Sequence, residues 1–102
     1  MPSAVLVALP DEESRGTCDE IAQRLRSRGV PTEVAPTPQK FGKQIRYAER
    51  RGIPFVWFPQ ETGHQVRDIR SGEQVDADPA AWVPPVEDLR PMIIRPTQTP
   101  AG

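Results

Sequence analysis

Two continuous apolar runs, AVLVAL at residues 4–9 and IPFVWF at residues 53–58, most constrain the fold of this chain. An apolar run without polar interruption predicts a strand that is covered on both faces, as in a parallel sheet. The short strand-like segment PTEVAP at residues 31–36 lies between the runs, with one helix-like segment on each side of it. This order predicts a β-α-β-α-β unit with right-handed helical crossovers.

The first helix-like segment, DEESRGTCDEIAQRLRSRG, repeats apolar residues at helical spacing. Gly29 follows its last turn, as is typical of a helix end. The start has two candidates, because Asp11 suits an N-cap and Thr17 with Glu20 suits a capping box. The predicted core combines the inner stripe of this helix with the two apolar runs: Val5, Leu6, Val7, Ile21, Leu25, Ile53, Phe55, Val56 and Phe58.

The segments HQVRDIR and EQVDA flank Ser71-Gly72, which predicts a β-hairpin after the third strand. The predicted fold class is therefore α/β, a mixed sheet of about five strands (βαβαβ plus a hairpin) flanked by helices. We expect one domain over residues 1–90. Residues 91–102 should form a mobile Pro-rich tail, because its prolines prevent regular pairing.

Composition excludes several classes of function. No run approaches eighteen apolar residues, so we expect no membrane partner. The single cysteine, Cys18, lies on the apolar side of the first helix, where a buried thiol is expected; one cysteine also fits a reducing cytoplasm. The single histidine, His64, has no ligand or triad partners at characteristic spacing, and no glycine-rich phosphate loop is present. These absences favour binding over catalysis.

The second helix-like segment, from about Gln39 to Arg51, concentrates positive charge in a chain whose net charge is −1. At 100° per residue, Phe41, Ile45 and Ala48 form an inner stripe. The opposite side carries a set of residues that we call the basic arc: Lys40, Lys43, Arg46, Tyr47, Arg50 and Arg51.

The basic arc has two interpretations, a solvated outer face or a surface for nucleic acid. Its charge has one sign, whereas a merely solvated face usually mixes signs. Tyr47 also offers an aromatic ring that can stack on an unpaired base. The sequence alone therefore leaves both interpretations open.

A longer pattern surrounds this helix. The run KFGKQIRYAERRGIPFVWFP, followed by HQVRDIRSGEQVDAD, resembles the C-terminal anticodon-binding domain of class IIa aminoacyl-tRNA synthetases. The shared pattern is a K-x-x-K-Q-x-x-Y-A helix, a glycine, an apolar strand and a charged hairpin that ends in S/T-G-E-Q. The chain looks most like bacterial histidyl-tRNA synthetases, the actinobacterial ones in particular, over roughly residues 3–90. It departs from them after the third strand, where Pro59 replaces the usual glycine.

The resemblance implies binding of the histidine tRNA anticodon by a domain without a catalytic site of its own. It implies no cofactor in this domain, while the full histidine–tRNA ligase would use ATP and histidine. Its implied partners are the tRNA, the catalytic domain of the parent synthetase and a second copy of the full enzyme. Together with the basic arc, it nominates these RNA-binding residues: Gln39, Lys40, Lys43, Gln44, Arg46, Tyr47, Glu61 and Arg67.

Two other classes of function stay open at this point. A stand-alone anticodon-type domain could act as a protein–protein or regulatory module. A small α/β enzyme or ligand-binding domain is the other alternative, although few polar residues converge at the predicted strand ends. Trp57 is expected in the core, and Trp82 is expected to anchor the C-terminal segment.

Overall fold

The computed structural model describes residues 3–60 and 63–89. Glu61, the expected boundary near residue 90 and the predicted mobile tail lie outside the described residues. Within them the chain forms two helices and five strands, numbered in chain order: α1 (Arg15–Ser27), α2 (Phe41–Arg51), β1 (Val5–Val7), β2 (Thr32–Val34), β3 (Phe55–Phe58), β4 (His64–Asp68) and β5 (Gln74–Ala77).

The strands form one mixed sheet in the order β2-β1-β3-β4-β5. β1 pairs in parallel with β2 and β3, whereas β3, β4 and β5 pair antiparallel. This confirms the predicted α/β class, the edge hairpin and the central position of β3. The strands are shorter than the apolar runs. Ala8, Leu9 and Ile53 belong to these runs and are buried, but they lie outside β1 and β3.

Different elements pack on the two faces of the sheet. Side chains alternate between the two faces along a strand, so Val56 and Phe58 of β3 point to the same side. The ring of Phe41 in α2 lies 4.9 Å from that of Phe58, which places α2 on this side. We call it the α2 face. Trp82 contacts Phe55 and Trp57 on the other face, at ring distances of 5.2 and 5.8 Å, and thereby anchors the segment that follows β5. Right-handed crossovers in opposite directions place α1 on this second face.

All nine predicted core residues are buried, and so are Cys18 and Trp57. One prediction from the helical stripe was wrong, because Phe41 is 40% exposed. Phe41 is the first residue of α2, so its ring covers Phe58 on one side only and faces solvent on the other.

The start of α1 and the end of α2 each have the residues expected at a helix terminus. The Asp11 carboxylate accepts hydrogen bonds from the main-chain N–H and the hydroxyl of Ser14, at 2.9 and 2.8 Å. Asp11 thus caps a 3₁₀ turn that continues directly into α1, while Thr17 lies inside the helix. Gly52 ends α2 with φ 74°, a left-handed conformation that glycine adopts without strain.

The thiol of Cys18 is fully buried and donates to the carbonyl of Ala8 at 3.4 Å. Burial raises the pKa of this thiol to about 11. We therefore expect an aromatic disulfide reagent at pH 8 to modify Cys18 slowly in the folded chain and rapidly in urea, because the reactive thiolate is scarce when folded. Fast modification at a denaturant concentration that leaves the fold intact would contradict a buried thiol.

Neither helix of the described chain has the length and apolar character that a membrane crossing requires. Within residues 3–60 and 63–89, no three His, Cys, Asp or Glu side chains form a group that could hold a metal ion.

Candidate nucleic-acid interface

The basic arc faces away from the sheet. α2 buries Gln44 and Ala48 against the sheet, which turns the charged side of the helix toward solvent. The five cations of the arc are exposed, and Tyr47 is partly buried. Gly52 and the hydrogen bond from Ile53 N to Ala48 O, at 2.9 Å, lead from the helix end into β3.

One cation of the arc already has partners. Arg51 lies 3.5 Å from the Glu33 carboxylate and 5.3 Å from the centre of the Tyr47 ring. Among the described residues, the other four cations of the arc form no salt bridge: Lys40, Lys43, Arg46 and Arg50. These four charges are therefore free for an anionic partner, whereas Tyr47 already shares its ring with Arg51.

Gln44 has a structural role, which corrects its prediction as an RNA contact. Its side chain is 1% exposed, and its Oε1 accepts from the main-chain N–H of Leu9 at 2.8 Å. Its Nε2 donates to the carbonyls of Leu9 and Gln39, at 2.9 and 2.6 Å. Both N–H groups of the amide and one lone pair of its oxygen are therefore used inside the protein.

These bonds fix the position of α2 on the sheet. Leu9 follows β1 and Gln39 precedes α2, so Gln44 holds the first turn of α2 against the central sheet. The sequence carried a signal for this role, since at 100° per residue Gln44 lies on the same side of α2 as Ala48. Gln39 itself is exposed, next to Lys40 at the start of the helix.

Arg67 projects from the edge hairpin onto the α2 face. It lies opposite Val56 of β3 and Gln74 of β5, and it is partly buried. Asp68 points to the other face and pairs with Arg70, at 3.0 Å, rather than with Arg67. Within the described part of the chain, Arg67 forms no salt bridge.

Arg70 fixes the chain that follows the hairpin. Its guanidinium binds Asp88 at 2.8 Å as well as Asp68, and it lies 5.2 Å from the Phe55 ring centre. Hydrogen bonds from Arg70 hold the pKa of Asp68 below its usual value. This network on the opposite face makes Arg70 a structural residue and leaves Arg67 as the guanidinium of the hairpin that has no salt-bridge partner among the described residues.

The structure therefore brings two predicted elements to one face. α2 covers Phe58, and Arg67 projects from the same side of the sheet opposite Val56. No hydrogen bond or salt bridge among the described residues joins Arg67 to the basic arc, so the interface has two separate parts.

An open cleft of about 590 Å³ lies at the carboxyl ends of β1 and β3 and includes Asp11, Ser14 and His64. These three residue types occur in hydrolase triads, yet their geometry here differs. The Ser14 hydroxyl donates directly to Asp11 at 2.8 Å, while His64 Nδ1 accepts from Gln60 N at 3.4 Å. Ser14 therefore has no hydrogen bond to His64, and the cleft does not favour the enzyme alternative.

Comparisons with known proteins agree with the interpretation of the basic arc as a surface for nucleic acid. The family model described as an anticodon binding domain matches residues 4–83. The histidine–tRNA ligase of Cutibacterium acnes is 59% identical over 100 residues, covering 92% of this chain and 22% of that protein. The ligase of Micrococcus luteus is 54% identical over 100 residues, covering 93% of this chain and 22% of that protein. The chain thus spans about a fifth of the length of these curated relatives.

Among solved structures, the histidyl-tRNA synthetase from Nostoc is similar with a TM-score of 0.72 and 27% sequence identity. The match covers 78% of this chain and 20% of that one. Sequence and fold therefore agree on one family.

Proposed function

Because the chain belongs to the family of anticodon-binding domains, we propose that it binds the anticodon stem-loop of histidine tRNA. The observation that carries this proposal is the set of four cations along α2 and at its N-cap that form no salt bridge with any described residue, on the same face of the sheet as Arg67. An anticodon stem-loop presents both of the features that such a face can bind, a row of phosphates and a few unpaired bases.

The two parts of the interface would divide the work. Lys40, Lys43 and the neighbouring arginines of α2 would contact phosphates, which position the RNA without reading its sequence. Arg67 would hydrogen-bond a base edge, since a guanidinium matches O6 and N7 of guanine and the histidine anticodon contains two guanines. Glu61 would accept from guanine N1 and N2 in the same way.

The proposal extends to the rest of the protein. The similarity to ligases over 92% of the chain but 22% of their length supports a role as the anticodon-binding part of a histidyl-tRNA synthetase. The catalytic domain would be its partner and would bind ATP and histidine. The full enzyme would form a homodimer in the cytoplasm. The same similarity favours tRNA binding over the protein–protein or regulatory alternative.

Replacing Lys43 by alanine tests the phosphate-binding role of α2. We expect the variant to bind every stem-loop more weakly by a similar factor, because a phosphate contact is independent of sequence. The slope of log affinity against log salt concentration should fall by about one or less. The measurement is titration of a fluorescent histidine anticodon stem-loop at several salt concentrations.

Arg24→Ala is the matched control, because Arg24 is an exposed cation on α1 and pairs with Glu20 on the opposite face. It removes one charge from the chain but none from the proposed interface, so affinity and salt slope should stay near the wild-type values. Equal effects of Lys43→Ala and Arg24→Ala would show that only net charge matters and would contradict a defined RNA face.

A further inference from the structure

Four polar side chains of the hairpin share one face of the sheet, and Arg67 is the only one of them that the sequence predicts as an RNA contact. Alternation along β4 and β5 points four side chains to the α2 face, and we call them the hairpin facet: Gln65, Arg67, Gln74 and Asp76. Gln74 and Asp76 are exposed, while Gln65 and Arg67 are partly buried. Arg67 lies directly opposite Gln74, and Gln65 lies directly opposite Asp76.

Hydrogen bonds order the two amides of the hairpin facet. Gln74 Nε2 donates to Gln65 Oε1 at 2.5 Å, and Gln65 Nε2 donates to Asp76 Oδ1 at 3.1 Å. This chain of bonds fixes which end of each amide is oxygen and which is nitrogen. It leaves the carbonyl oxygen of Gln74 and one N–H of each amide without a partner among the described residues.

The hairpin facet differs from the basic arc in its net charge. Arg67 and Asp76 contribute one positive and one negative charge, so the facet as a whole does not attract phosphate. Its groups are instead donors and acceptors held side by side on a paired β-ladder. Such groups match the edge of an unpaired base, where donors and acceptors also lie side by side.

We infer that Gln65, Gln74 and Asp76 read base edges beside Arg67, an assignment that rests on the proposed function. The ligand class is an unpaired base whose edge carries both a donor and an acceptor, as guanine and uracil do. Gln74 makes the direct contact through its free oxygen and N–H. Gln65 and Asp76 hold the Gln74 amide in the orientation that accepts one base and rejects another.

Gln74→Ala tests this assignment, with Val75→Ala as the matched control. Val75 is the next residue of β5, is 43% exposed and points to the opposite face. The measurement compares the affinity for the histidine stem-loop with that for three stem-loops that each carry one substituted anticodon base. Thermal unfolding of both variants shows that the hairpin is intact.

For Gln74→Ala we expect the preference over one of the three substituted stem-loops to fall about fivefold or more, with the salt slope unchanged. Val75→Ala should keep the wild-type preference. Asp76→Asn should weaken the same preference, because an amide in that place no longer enforces the orientation of Gln65.

A Gln74→Ala variant that keeps the wild-type preference, or that weakens binding to all four stem-loops equally, would overturn the inference. In either case the wild-type chain still discriminates, and the proposed function stands. A wild-type chain without any preference would instead overturn the proposed function, and the base-reading role of the facet with it.

Discussion

Replacing Gln44 by alanine should lower the free energy of unfolding by about 2–5 kcal/mol, the largest effect on stability that we expect from α2. The substitution removes three hydrogen bonds and leaves the N–H and C=O of Leu9 and the C=O of Gln39 without their partner. An unsatisfied buried polar group costs about 1–3 kcal/mol, and the space left by the side chain adds to that cost. Urea unfolding followed by tryptophan fluorescence measures the change.

Gln23→Ala is the control for this prediction. Gln23 is an exposed residue of α1, so the same chemical change should shift the free energy of unfolding by less than about 0.5 kcal/mol. Equal stability of Gln44→Ala and Gln23→Ala would mean that Gln44 does not tie α2 to the sheet. Gln44→Ala should also weaken stem-loop binding, since it releases the turn that carries Lys40 and Lys43.

Replacing Arg67 by alanine should reduce discrimination between the histidine stem-loop and one with a substituted guanine by about 1–3 kcal/mol. The guanidinium projects from the α2 face of the hairpin and forms no salt bridge within the described residues, so its donors are free for a base. Competition between labelled and unlabelled stem-loops measures the discrimination directly.

Arg67→Lys separates charge from geometry in the same assay. Lysine keeps the positive charge but loses the planar pair of donors that matches guanine O6 and N7. We expect this variant to keep the salt slope of the wild type and to lose most of the discrimination. Wild-type discrimination by Arg67→Lys would show that Arg67 contributes charge alone, and the base-reading role would then have to be withdrawn.

The sheet and core could be predicted from the sequence because both depend on burial, which the apolar runs record. Residues 53–58 read as a central strand, and β3 is central with both faces covered. In the hairpin segment, Val66 and Ile69 are three residues apart, which does not fit the alternation of a strand. The structure explains this spacing, since β4 ends at Asp68 and Ile69 instead donates to the carbonyl of Pro54, at 3.0 Å.

The site could be predicted only in part. The basic arc follows from helical periodicity, so its exposed cations were found at the right positions. Helical periodicity places Gln44 on the inner side of α2, but its partner Leu9 lies 35 residues away along the chain, and no local pattern identifies that partner. The hairpin facet requires the register of β4 with β5, because Gln65 and Gln74 are neighbours only in that pairing.

The most direct test of an anticodon-binding domain is titration of the unmodified chain with four stem-loops, the histidine anticodon and three single-base substitutions. We expect the histidine stem-loop to bind most tightly, with about 1–3 kcal/mol lost for each base that the protein reads, and we expect the affinity for all four to weaken as salt rises. Equal affinity for all four stem-loops at every salt concentration would contradict recognition of the anticodon.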